Sequence, residues 1–477
     1  MTPIARPARR RLTGKQIFQR VGGAVAVIAF LIPWVFEFEG LSPEGHRVLS
    51  IMLLAVVLWV TEAIPLHATA AVIIFLEILT ISSQGVMPLS EGFEAPSQRT
   101  FYTCLADPVL MLFLGGFFLA DGAAKFDLDR NLARVLLRPF GASPSMILLG
   151  LMMITALFSM FMSNTATTAT MMAVVIPVIA QLPPGDRMRT GFALAIPVAA
   201  NIGGIGTPIG TPPNAIALGA LANAGIAIGF VQWMIMAIPF MVVILLAAWL
   251  LLARMFRSSE QSVTLTIESE FDTRLSAKVF YMTFAITILL WLTENLHGMS
   301  SSVVGFFPVV IMLSTRIFTT KDMQSIQWHI LWLLAGGIAL GVGLGRTGLD
   351  AWLVGLVDWQ SLSAFAVTAA LALMALLLGS FISHTATANL LVPIGMSLAA
   401  SDAVAVSPVL AAVFIAIGAS LAMSLPVSTP PNAIAMSTGT ISVSQMAIVG
   451  VTIGIFGYAL FLLFAPWLWN LLGVMPG

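Results

Sequence analysis

The sequence predicts an all-α polytopic membrane protein, with about eleven transmembrane helices and two re-entrant hairpins in two inverted repeats. Three observations support this prediction. First, 59% of the 477 residues are hydrophobic and only 9% are charged, whereas a soluble protein carries about 25% charged residues. Second, apolar windows long enough to cross a membrane as helices occur along the whole chain. Third, several motifs occur twice, in the same order and at a nearly constant spacing.

The distribution of basic residues predicts the orientation of the chain. If the N-terminus is cytoplasmic, eighteen of the 21 lysines and arginines lie on cytoplasmic segments, and only Arg47, Arg99 and Arg346 lie elsewhere. This asymmetry follows the positive-inside rule and predicts a bacterial inner-membrane protein whose C-terminus is outside. The arginines at 9–11 could also belong to a signal peptide or a twin-arginine signal, but no small-residue cleavage site follows them. We favour a cytoplasmic anchor.

Charge, hydropathy and internal similarity divide the chain into four segments. Residues 1–45 comprise the cytoplasmic N-terminus and the first span, and residues 46–256 form the first repeat. The charged stretch 257–278 is expected to be a cytoplasmic linker, and residues 279–477 form the second repeat. Five pairs of motifs match the repeats: Trp59-Val-Thr-Glu62 with Trp291-Leu-Thr-Glu294, Gly115-Gly116 with Gly336-Gly337, Lys125-x-x-Leu-Asp129 with Arg346-x-x-Leu-Asp350, Ser163-Asn-Thr165 with Ser383-His-Thr385, and Thr211-Pro-Pro-Asn214 with Thr429-Pro-Pro-Asn432.

Each repeat contains a polar hairpin tip between two short apolar arms, at residues 144–182 and 363–400. An arm of about 16 residues is short for a complete crossing. Basic loops flank the first hairpin on both sides, so we expect it to enter the membrane from the cytoplasm. Each repeat has five spans, an odd number, so the second repeat is inverted and its hairpin enters from outside. Re-entrant backbone at this depth requires protein or a wet cavity around it.

A broken helix follows each hairpin, at residues 190–223 and 408–440. In the first, the glycines and prolines between positions 201 and 214 cannot continue a helix. Inverted repeats with broken helices at matching positions are typical of secondary transporters, whose site lies where the repeats meet. Where each helix resumes, we expect a threonine N-cap and a proline at the first helical position: Thr211-Pro212 and Thr429-Pro430.

Four helices are therefore predicted to begin deep in the membrane, after Thr165, Thr385, Thr211 and Thr429. Each helix start presents free backbone N–H groups and about half a positive charge, so four together could hold a dianion. No basic residue occurs in these motifs, so dipoles, amides, hydroxyls or bound cations would hold the anion. Carbonyl groups freed where helices break, with serine and asparagine oxygens, suit sodium. An isolated polar tip is more often a helix-packing surface, but paired breaks favour a site.

With these motifs the sequence resembles the divalent anion:sodium symporter (DASS) family, carriers of C4-dicarboxylates, citrate or sulfate. The resemblance rests on the hairpin tips at 163–165 and 383–385 and on the two Thr-Pro-Pro-Asn loops, and it covers essentially the whole chain. It implies a homodimer with eleven spans and two hairpins in each subunit. It also implies an elevator mechanism, in which the hairpin domain slides against a fixed scaffold, and at least one bound sodium ion.

The resemblance implies roles for individual residues. Asn164, Thr165 and Thr385 would contact the substrate carboxylates, beside the helix starts at Thr211-Pro212 and Thr429-Pro430. The first sodium would be bound by four residues: Ser159, Ser163, Asn164 and, through a carbonyl, Gly210.

The second cation site departs from the family pattern. It would comprise Ser383, His384 and Ser428, but the family usually has asparagine where this chain has His384. Gly379 stands where the first half has Ser159, so a hydroxyl is missing. Three functional interpretations stay open: contact of His384 with substrate, a proton in place of one sodium, or a weakened site with fewer coupled ions. A packing histidine is less favoured, because intramembrane ionisable residues are usually functional.

The leading hypothesis is a sodium-driven carrier of C4-dicarboxylates such as succinate, malate or fumarate. Within transport, the alternatives are a sodium-independent dicarboxylate exchanger, a proton-coupled carrier, or sulfate or a tricarboxylate as substrate. An intramembrane enzyme is the alternative of another class, but no H-E-x-x-H or G-x-S-x-G motif occurs. The single Cys104 excludes an intramolecular disulfide and a cysteine-built metal site. Expected partners are a small dianion, sodium, the lipid bilayer and a second copy of the chain, but no nucleic acid.

Four acidic residues lie near the predicted ends of spans. Glu62 and Glu294 occur at matching positions in the two repeats, which favours structural pairing near a helix end over a role as cation relays. Glu77 and Asp121 are expected to face the membrane interface.

Overall fold

The computed structural model describes residues 14–263, 269–356, 362–401 and 405–474, so the arginine cluster at 9–11 lies outside the described residues. Throughout this part of the chain the secondary structure is helical, with short 3₁₀ turns at Cys104–Ala106 and Arg138–Phe140. The α-helices are α1 (Gly14–Val35), α2 (Pro43–Thr61), α3 (Leu66–Ile81), α4 (Gln98–Thr103), α5 (Pro108–Lys125), α6 (Leu128–Leu137), α7 (Pro144–Ser159), α8 (Asn164–Gln181), α9 (Met188–Gly204), α10 (Pro212–Asn223), α11 (Phe230–Met255), α12 (Leu275–Leu292), α13 (Glu294–His297), α14 (Ser301–Ser314), α15 (Thr320–Ser325), α16 (Trp328–Thr347), α17 (Leu349–Gly355), α18 (Ala364–Phe381), α19 (His384–Ala400), α20 (Pro408–Ser420), α21 (Pro430–Met436) and α22 (Val443–Leu471).

Eight helical segments among the described residues are long and apolar enough to cross a membrane. This confirms the prediction of a multi-pass helical membrane protein, whereas the total of eleven spans stays a prediction. One of the eight is α18, an arm of the second predicted hairpin, so its 18 residues exceed the arm length expected from the sequence. The eight segments are Gln16–Val35, Pro43–Thr61, Gln98–Lys125, Phe230–Met255, Leu275–Leu292, Trp328–Thr347, Ala364–Phe381 and Val443–Leu471.

The order of helices in the first half of the chain matches that in the second. The first predicted hairpin is formed by α7 and α8, and the second by α18 and α19. The first broken helix is α9 followed by α10, and the second is α20 followed by α21. In both halves a long helix, α11 or α22, comes next. Each predicted hairpin and broken helix therefore corresponds to a pair of helices.

Helices from the two halves pack against each other. In one group α3 packs on α16, and α5 packs on α14. In the other group, α7 and α8 pack on α9, while α18 and α19 pack on α20. The short helix α10 packs on α19 and α20, and α21 packs on α8 and α9. The resumed part of each broken helix thus lies against the hairpin of the other half.

The contact between α5 and α14 depends on two glycines. A Cβ atom added to Gly115 would overlap the backbone carbonyl of Gly305, which cannot move aside like a side chain. We expect Gly115→Ala to destabilise the protein by about 2 kcal/mol through overpacking. Gly341→Ala is the matched control, because a Cβ there meets no atom within 4 Å and alanine favours the helix. Thermal unfolding in detergent measures both, and equal melting temperatures for the two variants would contradict this packing.

Glu77 lies in the interface between α3 and α16, which corrects the prediction that it faces the membrane surface. Its side chain is fully buried, and neither carboxylate oxygen has a hydrogen-bond partner among the described residues. A Cβ on Gly343 would overlap this carboxyl group, so glycine there makes room for it. Hydropathy alone could not predict this, because the space is created by a helix more than 250 residues away in sequence.

An ion pair on the predicted cytoplasmic side joins α5 to α15. Oδ2 of Asp322 accepts hydrogen bonds from Nζ of Lys125 at 2.7 Å and from N and Oγ1 of Thr319, each at 2.7 Å. Partial burial raises the pKa of Asp322, but these hydrogen bonds lower it more, to about 2. The ionised carboxylate is therefore the form that stabilises this contact.

Asp322→Asn is expected to lower the free energy of unfolding by about 1 kcal/mol at pH 7, since the pair is partly exposed. The folded pKa lies below the usual value of about 3.9, so the stabilisation is complete above about pH 4 and disappears as the pH falls towards 2. Thermal unfolding of both proteins at pH 7 and pH 3 tests this. The difference between them should shrink at pH 3, and a constant difference would contradict the assignment.

Candidate functional site

Both hairpins have a serine at the start of their second arm. α8 begins at Asn164, and Oγ of its N-cap Ser163 accepts a hydrogen bond from the backbone N–H of Ala166 at 3.2 Å. Ser383 caps α19 in the same way, through the N–H of Ala386 at 3.1 Å. The helices thus begin before the threonines after which the sequence predicted them to restart. Those threonines lie in the first turns of α8 and α19.

The broken helices resume at the predicted first helical positions, Pro212 and Pro430. Thr211 and Thr429 precede them with extended backbones, at φ −148° and −144°. Oγ1 of Thr429 accepts from the N–H of Asn432 at 3.2 Å, as expected of an N-cap. The side chain of Thr211 makes no capping hydrogen bond, which corrects the prediction for the first half.

Three asparagines hold the broken segments together. Nδ2 of Asn214 donates to the carbonyl oxygens of Gly204 at 3.0 Å and Thr207 at 2.8 Å. Asn432 donates to two carbonyl oxygens of the second break, each at 2.9 Å. Nδ2 of Asn201 donates to Oδ1 of Asn432 at 3.3 Å, and thereby links the two breaks. The sequence alone predicted no role for these asparagines, although two of them lie in the repeated Thr-Pro-Pro-Asn motif.

Oxygen atoms converge beside the tip of the first hairpin. One terminal atom of the Asn164 carboxamide lies 2.6 Å from Oγ of Ser159, 3.1 Å from the carbonyl oxygen of Gly210 and 3.2 Å from that of Ala200. If this atom is Oδ1, it faces only oxygens; if the amide is reversed, the two hydrogens of Nδ2 are shared among these three acceptors. Ser159 is fully buried and also donates to the carbonyl of Ala200 at 2.7 Å. The structure therefore brings together three of the predicted sodium ligands: Ser159, Asn164 and Gly210. The carbonyl of Ala200, which was not predicted, lies beside them.

The fourth predicted ligand of the first sodium, Ser163, has other partners. Besides capping α8, its Oγ accepts a hydrogen bond from Nε2 of Gln327 at 3.1 Å. Gln327 immediately precedes α16, in the other half of the chain. The hairpin tip is therefore in direct contact with the group of helices that contains α3, α5, α14 and α16.

In the second half an imidazole stands in place of the Asn164 amide. His384 is buried, and its Nε2 lies 2.8 Å from the carbonyl oxygen of Ala422. Since a carbonyl can only accept, Nε2 carries the hydrogen. Ser383 caps α19, while Oγ of Ser428 donates to the carbonyl of Ser380 at 2.7 Å. The three residues predicted for a second cation site thus have three different backbone partners.

Gly379, the counterpart of Ser159, has no room for a side chain. A Cβ there would lie 2.8 Å from Cβ of Ala422 and 3.2 Å from the carbonyl oxygen of Ala419. A serine at 379 would therefore need a displacement of α20 or its following turn. The two halves differ in shape here as well as in sequence.

Two predicted substrate contacts have free hydroxyl groups. Thr165 and Thr385 are partly buried, and neither hydroxyl has a hydrogen-bond partner among the described residues. Each lies in the first turn of its helix, where backbone N–H groups are unpaired. Both can therefore donate a hydrogen bond to a ligand at the helix start.

Comparison with known proteins identifies the family. A family profile described as "Sodium:sulfate symporter transmembrane region" matches residues 19–475. The chain belongs to this sodium:sulfate symporter family. Membership confirms the resemblance to the divalent anion:sodium symporters, and it places the protein among transporters rather than enzymes.

Curated relatives within this symporter family match over nearly their whole length. The chain is 30% identical over 470 residues to the sodium-dependent dicarboxylate transporter SdcS of Staphylococcus saprophyticus, covering 91% of this chain and 88% of the relative. It is 31% identical, with the same coverage, to SdcS of Staphylococcus aureus strain USA300. Among solved structures, the YdaH transporter of Alcanivorax borkumensis is similar in fold alone, with a TM-score of 0.51, 13% identity, and coverage of 88% of this chain and 100% of YdaH.

Proposed function

We propose that this protein is a sodium-coupled symporter of C4-dicarboxylates such as succinate, malate or fumarate. The relatives described above are named sodium-dependent dicarboxylate transporters, and they match 91% of this chain. The observation that carries the proposal is the group of oxygens around Asn164, because hydroxyl, amide and carbonyl oxygens at a helix break are ligands that suit sodium. In this proposal sodium is the coupling ion, and the dicarboxylate is the transported anion.

The Asn164 amide supports both a loaded and an empty state of the cation site. With sodium bound, Oδ1 of Asn164, Oγ of Ser159 and the carbonyl oxygens of Ala200 and Gly210 all face the ion, as expected for a hard cation at a helix break. Without sodium, the two N–H groups of the reversed amide are shared among the oxygens of Ser159, Gly210 and Ala200, and the hydroxyl of Ser159 also donates to Ala200. The site therefore stays free of unpaired buried oxygens in both states.

The anion binds next to this cation, at the starts of α8, α10, α19 and α21. The starts of α8 and α19 carry unpaired N–H groups, whereas α10 and α21 begin with two prolines that have no N–H and contribute only the partial positive charge of a helix start. The motifs there contain no basic side chain. Thr165 and Thr385 donate their hydroxyls, and Asn164, Thr211-Pro212 and Thr429-Pro430 complete the set of proposed contacts. Sodium beside Asn164 adds positive charge near the anion, so binding of each favours binding of the other.

The transport step is an elevator movement. The hairpins and broken helices, from α7 to α10 and from α18 to α21, form the moving body, because they pack mainly on one another. The group with α3, α5, α14 and α16 forms the scaffold. The hydrogen bond from Gln327 to Ser163 crosses the boundary between these bodies, so it breaks when the tip moves.

The proposal also includes the topology and assembly of the carrier. The two repeats are inverted, and the subunits form a homodimer in the bacterial plasma membrane. The N-terminus is cytoplasmic and the C-terminus is outside.

One observation favours a second candidate function, a sodium-independent dicarboxylate exchanger. The N–H of His384 donates to the carbonyl of Ala422. Without this histidine, the carbonyl would be free to bind a cation at the helix break. The imidazole therefore replaces a second sodium, and it reduces the number of coupled ions. If no sodium were needed at all, the carrier would exchange one dicarboxylate for another.

Uptake by proteoliposomes distinguishes these functions. Radiolabelled succinate is offered with a sodium gradient, a proton gradient or internal succinate, each imposed alone. Symport predicts accumulation with the sodium gradient. Uptake only with internal succinate would indicate exchange instead of symport. Uptake driven only by a proton gradient would indicate that protons, and not sodium, are the coupling ions. Competition by sulfate and citrate in the same assay determines the class of anion.

A further inference from the structure

A cavity of about 660 Å³ lies between the proposed scaffold and the proposed moving body. One wall is α16, from Gly337 to Arg346, and the opposite wall is formed by α10 and α19. Ile216, Ile338 and Val392 make much of this surface apolar. None of the predicted substrate or sodium contacts lines it, so the cavity is separate from the site described above.

The inner end of the cavity is closed by a contact near the substrate site. Nδ2 of Asn389 donates to the carbonyl of Leu333 at 3.2 Å, and Asn389 packs directly against Gly337. Asn389 lies one helical turn after Thr385 on α19. From Gly337 to Arg346, α16 rises roughly 14 Å at 1.5 Å per residue. The cavity therefore extends from its closed inner end at Asn389, beside the substrate site, to the predicted outer end of α16.

Arg346 is the basic residue at the outer end of this cavity. It is exposed, and it has no hydrogen-bond or ionic partner among the described residues. Arg47, another basic residue on the predicted outer side, instead donates to the carbonyls of Thr80 and Pro88 at 2.8 and 2.6 Å. Asp350 also lines the cavity, and its Oδ1 accepts from the N–H of Ala351 at 2.8 Å. This outer end, the mouth of the cavity, thus contains one free cationic group and one nearby carboxylate, whose charges have opposite effects on an approaching anion.

We propose that this cavity is an outer vestibule in which Arg346 attracts the dianionic substrate before it reaches the hairpin tips. The proposal rests on the proposed dicarboxylate transport. Because Arg346 lies on α16, in the scaffold, it keeps its place at the mouth while α10 and α19 move. A positive charge beside a cleft with apolar walls raises the local concentration of anions. Asp350 opposes this attraction, so the two side chains have effects of opposite sign on substrate capture.

Kinetics at the two membrane faces test the vestibule. Succinate transport is measured in right-side-out and inside-out membrane vesicles at fixed sodium concentration. Arg346→Gln is expected to raise the external KM roughly three- to tenfold, the Coulomb effect of one charge on a nearby dianion in water. The internal KM and kcat should not change. Arg346→Lys should retain the wild-type external KM, and Asp350→Asn should lower it.

Ionic strength provides an independent measurement. With sodium held constant, choline chloride should reduce the difference between wild type and Arg346→Gln, because the Debye length is about 8 Å at 0.15 M salt. An unchanged external KM in Arg346→Gln, an equal rise at both faces, or a higher external KM in Asp350→Asn would overturn the vestibule. Those results would leave the proposed function intact, whereas an inactive wild-type protein in both kinds of vesicle would contradict the function itself.

Discussion

Ser159→Ala is expected to lower the apparent affinity for sodium roughly ten- to hundredfold, the loss typical when a metal site loses a supporting group. The variant removes one of four oxygens around the proposed ion and leaves the carbonyl of Ala200 without its hydrogen-bond donor. Succinate uptake as a function of sodium concentration measures the change. Uptake at saturating sodium should be affected less than the half-saturating concentration.

Thr155→Val is the matched control for this variant. Thr155 lies one turn earlier on α7, is equally buried, and donates its hydroxyl only to the carbonyl of Leu151 at 2.6 Å. The control should keep the sodium dependence of the wild type. A Ser159→Ala protein that folds and keeps its sodium dependence would contradict a cation site at these oxygens.

His384→Asn is expected to increase sodium dependence. The change restores an amide oxygen at the second tip and frees the carbonyl of Ala422 from the imidazole N–H. Both oxygens can then face a cation, so uptake should depend more steeply on sodium concentration. The Hill coefficient for sodium in the succinate uptake assay measures this effect.

His329→Asn serves as the control for that variant, because His329 is an exposed residue at the start of α16. It should transport like the wild type. Unchanged sodium dependence together with unchanged succinate affinity in His384→Asn would assign His384 a packing role. The increase in sodium dependence is limited because Gly379 supplies no hydroxyl to the second tip. A serine cannot be added there without a displacement, since its Cβ would lie 2.8 Å from that of Ala422.

Much of the site could be predicted from the sequence because it is built from local motifs. Ser159 and Asn164 are five residues apart, at the end of one arm and the start of the next, so a tight hairpin brings them together. Pro212 and Pro430 begin helices because proline fixes φ and lacks the N–H that the first turn leaves unpaired. Membership of the family also followed from motifs that occur in both halves.

Other features depend on contacts between distant parts of the chain, which no local pattern encodes. The carbonyl of Ala200 joins the oxygens around Asn164 only because α9 packs against α7 and α8. Ser163 has the residue type of a sodium ligand, yet its hydroxyl caps α8 and accepts from Gln327 in the other half. Glu77 lies near the predicted end of a span, which suggested that it faces the membrane interface, but α16 covers it.

The most direct test of sodium-coupled transport starts with equal succinate concentrations on both sides of a proteoliposome membrane. An inward sodium gradient is then imposed, with the membrane potential held at zero. The proposed function predicts net accumulation of succinate inside, because sodium entry supplies the free energy for uphill movement. Exchange of labelled for unlabelled succinate without any net accumulation would contradict it.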